Sequence, residues 1–73
     1  MQTDFSIYPN PADKQVHINT SAINFRMHLF DLTGREVLQS TEKDIDISTL
    51  EKGIYFLQLQ TNNGTCTKQI IVE

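Results

Sequence analysis

Seventy-three residues make one domain, and a chain this short buries only about 60% of the surface it exposes when unfolded, so a large internal active site is excluded. The formal net charge of −3 is spread along the chain without a basic block, which argues against a nucleic-acid surface or an anionic-membrane patch. A single cysteine, Cys66, cannot form an intrachain disulfide, and with no His or Lys motif beside it to activate the thiol it reads as a small packing residue rather than a reactive group.

The predicted elements are strands from end to end. In chain order they are DFSIY (4–8), KQVHINT (14–20), NFRMHLFD (24–31), REVLQ (35–39), DIDI (44–47), GIYFLQLQ (53–60) and TCTKQIIVE (65–73), with no convincing helix. Period-2 alternation sets Val16 and Ile18 on one face and Gln15, His17 and Asn19 on the other. It separates Met27 and Leu29 from Arg26 and His28 in the same way. Val16, Ile18, Met27, Leu29, Ile47, Leu50, Leu57, Leu59 and Ile70 are the expected core.

The first strand runs into IYPNPA (7–12), where Pro9 and Pro11 lack a backbone N–H and push Tyr8 and Asn10 towards extended geometry. A sheet ladder cannot pass through them. The step reads either as a terminator that protects a strand edge or as a signal that another molecule recognises.

Further on, Asp31 and Gly34 in DLTG occupy the first and last positions of a type I turn, with Gly34 able to close a G1-bulge hairpin between strands three and four. STLEKG (48–53) has Ser48 and Glu51 at capping-box spacing, but Gly53 stops a helix after barely one turn. It is therefore read as a compact loop that drops Leu50 onto the core. Tyr55 follows near a strand start, either as a tyrosine corner whose hydroxyl reaches loop backbone or as a plain core-edge aromatic. Asn63-Gly64 is the strongest hairpin signal in the chain and joins strands six and seven. Short strands with turn signals every 8–12 residues or so predict an all-β fold, an immunoglobulin-like antiparallel β-sandwich of about seven strands, with a small barrel as the alternative.

Groups suited to catalysis are poorly placed. His17 and His28 lie on different strands without metal-ligand spacing and read as solvated, and Asp44 and Asp46 share a strand face without the Gly-bearing acidic loop that calcium needs. Nucleophile motifs and phosphate-cradling glycine clusters are absent from the sequence. No catalytic residue, cofactor or metal is expected. No stretch reaches about 18 apolar residues, so no membrane helix is expected, and MQTDFSIYPN lacks the features of a signal peptide. The chain is thus either cytosolic or the end of something longer.

In order, YPNPADKQVHI, LFDLTGREV, IDISTLEKGIYFLQL and NGTCTKQIIV resemble the type A C-terminal sorting domain of the type IX secretion system, found in the Bacteroidota. The matching positions are Pro9, Asn10 and Pro11, Asp31 and Gly34, Leu50, Gly53 and Tyr55, and the closing Lys68 with Ile70, Ile71 and Val72. Glu73 departs from the basic or apolar residue that ends many relatives. The resemblance implies one sorting domain over 1–73, with residues 1–3 as linker, excised from the C-terminus of a larger secreted protein. It implies a non-catalytic signal, passing through the periplasm to the outer-membrane surface or the medium. Its partners would be outer-membrane shuttle and sortase components and the covalently fused upstream cargo, with removal by the sortase as the cargo is attached to surface lipopolysaccharide. No nucleic acid or membrane insertion is expected, and the isolated domain should be a monomer or weak dimer. The rival readings are an adhesion or carbohydrate-binding module and a structural spacer.

Within this resemblance the last strand is the expected receptor site: Lys68, Gln69, Ile70, Ile71, Val72 and Glu73. Lys68, Ile70 and Val72 share one face and Gln69, Ile71 and Glu73 the other, so apolar groups stand on both sides of a strand with a free end. Ile70 and Val72 could instead simply close the core. Removing Ile71–Glu73 is expected to take away few core contacts.

Overall fold

The computed structural model describes residues 5–9 and 12–73. Seven strands form two antiparallel sheets with no helix among the described residues, so the chain is an all-β, immunoglobulin-like sandwich. Strands β1 (Phe5–Tyr8), β2 (Gln15–Thr20) and β5 (Asp44–Asp46) build a three-stranded sheet in the order β1-β2-β5. Strands β3 (Arg26–Phe30), β4 (Glu36–Ser40), β6 (Gly53–Thr61) and β7 (Gly64–Val72) build the second, in the order β4-β3-β6-β7.

The alternation reads out as expected. Val16 and Ile18 from one sheet meet Met27, Leu29, Leu57, Leu59 and Ile70 from the other, all essentially without solvent exposure, with Ile47 beside them. Burying a side chain of this size contributes about 1.5–3 kcal/mol, so this single layer supplies most of the driving force. Leu50 is half-buried rather than buried and packs on the rim of the core. Phe5, Ala12, Ile45, Tyr55 and Val72 complete the buried set beyond the expected residues.

Both hairpins form, each by its own chemistry. In the β3–β4 turn the Asp31 carboxylate accepts from the Thr33 N–H (2.9 Å), the Thr33 hydroxyl (2.6 Å) and the Arg35 N–H (3.0 Å). Gly34 adopts φ +87° and donates its N–H to the Asp31 carbonyl (3.0 Å), and the β3–β4 register shifts between Leu29 and Phe30. In the β6–β7 hairpin Thr61 pairs with Gly64, so the two loop residues are Asn62 and Asn63 and Gly64 opens β7 at φ +126°. No non-glycine among the described residues has positive φ; Asn63 instead donates its N–H to the Thr61 hydroxyl (3.1 Å).

Asn10 and Pro11 lie outside the described residues, as do residues 1–4. β1 stops at Tyr8 and the Tyr8–Pro9 peptide bond is cis. By Ala12 the chain has left the three-stranded sheet and lies on the outer edge of β7. There the Ala12 N–H donates to the Ile71 carbonyl (2.8 Å) and the Glu73 N–H donates to the Ala12 carbonyl (2.7 Å), a parallel bridge centred on Ala12 and Val72. Pro9 thus stands where the chain changes sheets, and the edge that Ala12 covers is that of β7.

Candidate functional site: the terminal strand and its sheet face

The expected receptor residues divide into three groups. Ile70 and Val72 are buried in the core, at 0% and 3% exposure. Lys68 is half-buried on the same face, its ammonium 5.5 Å from the centre of the Phe5 ring in a cation–π contact that ties β7 across to β1. Gln69, Ile71 and Glu73 are exposed on the opposite face. The terminal strand is therefore not free at its end: Ala12 engages Ile71 and Glu73 through the backbone, and the loss of Ile71–Glu73 would remove both bonds and the buried Val72 side chain. To the few core contacts that this truncation was expected to take away, the structure adds the buried Val72 side chain and the Ala12 bridge.

The exposed side chains of β7 continue into an apolar strip. Ile71 lies directly across from Ile54 on β6, Gln69 across from Phe56, and Phe56 across from Phe30 on β3. Ile54, Phe56 and Ile71 are 36–38% exposed, and Phe30 is partly covered. Cross-strand neighbours on one face stand about 5 Å apart, so these side chains form a continuous surface. The signal in the sequence was the run IYFL, where apolar residues occupy both parities: Tyr55 and Leu57 turn inward, Ile54 and Phe56 outward.

The motif residues Leu50, Gly53 and Tyr55 lie in and after the loop that leads from β5 into β6. The Leu50 N–H donates to the Ile47 carbonyl (3.0 Å), closing the loop that follows β5, and Gly53 enters β6 at φ +152°. Tyr55 is buried, and its hydroxyl donates to the Glu51 carbonyl at 2.7 Å, the tyrosine-corner alternative. Ser48 does not cap a helix. Instead the Asp46 carboxylate accepts from the Ser48 N–H (2.9 Å) and hydroxyl (2.7 Å), which holds the Asp46 carboxyl below the usual carboxylate range. The Asp31 carboxyl is likewise lowered, first by the Thr33 hydroxyl and then by the Arg35 and Thr33 N–H groups.

The two histidines are not simply solvated. His17 on β2 pairs through Nδ1 with the Asp44 carboxylate on β5, and its ring lies 4.9 Å from that of Tyr8. The hydrogen bond from His17 holds the Asp44 carboxyl below its usual range. His28 on β3 pairs with Glu36 on β4 at 2.6 Å and approaches Gln60 on β6 at 3.4 Å. Each couple ties neighbouring strands. Among the described residues, no three His, Cys, Asp or Glu side chains converge as a metal site would require.

The family of secretion system C-terminal sorting domains matches residues 6–73, nearly the whole chain, and so takes in all the described motif residues. No curated protein matches the chain.

Proposed function

Because the chain belongs to the family of type IX secretion C-terminal sorting domains, and so carries a signal that directs a fused cargo to the cell surface or the extracellular space, we propose how that signal is displayed and used. The folded domain, at the C-terminus of a larger protein and without catalytic activity of its own, passes through the periplasm. An outer-membrane shuttle component then recognises the outward face of β7, with Gln69, Ile71 and Glu73 as the contact residues, and Ile54 and Phe56 widen the contact. A sortase afterwards removes the domain as the cargo is anchored.

The observation that carries this reading is the division of β7. Its inward residues already have full-time structural partners, whereas Ile71 is exposed beside Ile54 on a face that the sandwich does not need for its core. Buried groups cannot serve as contacts without unfolding the domain. Ile70 and Val72 accordingly act through stability, and the half-buried Lys68 joins them through its contact with Phe5, by holding the outward residues in register.

The test is a fusion of the domain behind a periplasm-targeted reporter, expressed in a bacterium with the type IX machinery and in one without it. The reading predicts surface or extracellular reporter in the first host alone. Equal release from both would overturn it, and would leave an adhesion or spacer role for the domain.

A further inference from the structure

We propose that Asn63 is a self-modification site of the folded domain, at which the Gly64 backbone nitrogen attacks the Asn63 side chain and converts it to aspartate or isoaspartate. Both residues are exposed at the tip of the β6–β7 hairpin. The Asn63 carboxamide has no hydrogen-bond partner among the described residues; only its backbone N–H is engaged, with the Thr61 hydroxyl. Next to it Gly64 has no side chain, and nothing lies within 4 Å of where a Cβ would stand, so that side of the residue following Asn63 is open. That nitrogen belongs to the last pair of the ladder, Thr61 and Gly64, where opening costs least.

The reaction is a hydrolysis in two steps and needs only water. The Gly64 N–H gives its proton to solvent base, the nitrogen bonds to Cγ of Asn63, the Cγ–Nδ2 bond breaks, and ammonia leaves with a proton from water, closing a five-membered succinimide. Water then adds to one of the two ring carbonyls. Breaking the Gly64 N–Cγ bond gives aspartate; breaking the bond from the same nitrogen to the Asn63 carbonyl carbon gives isoaspartate. No electron is transferred. Either product makes the chain one charge more negative, and isoaspartate adds a main-chain methylene immediately before Gly64, which displaces the pairing that begins β7.

Conversion of Asn63 does not depend on export and is measured without a secretion host. The domain is incubated at neutral to mildly alkaline pH and mapped by peptide mass spectrometry with isoaspartate detection, with circular dichroism confirming that it stays folded. Asn63 should convert on the order of tenfold faster than Asn62, Asn19 and Asn24, each followed by a residue with a Cβ. A peptide spanning 60–67 serves as the unfolded reference. If Asn63 keeps its amide in the folded domain over an interval in which the peptide converts, or converts no faster than Asn62, the proposal is wrong. Gly64→Ala, if it folds, should slow conversion by a similar factor; an unchanged rate would also contradict it.

Discussion

Tyr55 illustrates how one side chain can serve two parts of the fold. Its ring is buried between the sheets while its hydroxyl secures the Glu51 carbonyl in the loop before β6. Tyr55→Phe keeps the ring and leaves that carbonyl short of a partner, and should cost about 1 kcal/mol in denaturant unfolding. The carboxylates add a pH dependence of definite sign. Asp31, Asp44 and Asp46 all have folded pKa values below their unfolded ones, so their stabilising effect is complete above the unfolded carboxylate pKa and is lost as pH falls through the folded values. Unfolding measured from neutral pH downwards should therefore show stability declining across the acid range, and Asp31→Asn should flatten part of that decline. Equal acid slopes for the two proteins would remove Asp31 from this account.

At the level of elements, the β6–β7 hairpin and the Ala12 bridge determine where the terminal strand sits. Gly64→Val places a β-branched residue at φ +126° and should destabilise by more than about 1 kcal/mol, while Thr65→Ser nearby stays mild. Urea melts compare them directly. Deleting Ile71–Glu73 removes the Val72 side chain and the two Ala12 bonds, and should cost about 3 kcal/mol or more, a large fraction of the stability of so small a domain. A truncated domain that melts like the parent would show that the bridge contributes nothing.

Much of this level was legible in advance, for a physical reason. Alternation of polar and apolar residues fixes which face of β2 and β3 is buried, and Asp31 with Gly34 specifies a turn by local hydrogen bonding, so neither depends on distant chain. Ala12 and Phe5 were hidden because their partners are far away in sequence: Ala12 is buried by crossing to β7, and Phe5 by facing Lys68 from the other sheet. Of the terminal residues, the inward setting of Ile70 was readable, but the covering of the strand end by Ala12 was not, since that partner lies far away in sequence. The pairing of His17 with Asp44 likewise follows from β2 and β5 being neighbours, which no local pattern specifies.

For the whole molecule, the sandwich divides its terminal strand into a face that maintains the fold and a face available to a partner, and the central claim is that export reads the second. Ile54 and Ile71 are cross-strand neighbours on that outward face, and threonine keeps their β-branched shape while removing the apolar end. The decisive measurement is the amount of reporter exported by a type IX host when the fused domain carries Ile54→Thr and Ile71→Thr together, read beside the melt of the same domain. Stability should change by no more than about 1 kcal/mol, because both residues are more than a third exposed, while exported reporter should fall by about tenfold as the apolar contact is lost. Export at the parental level from a domain that carries both substitutions and melts normally would contradict the claim.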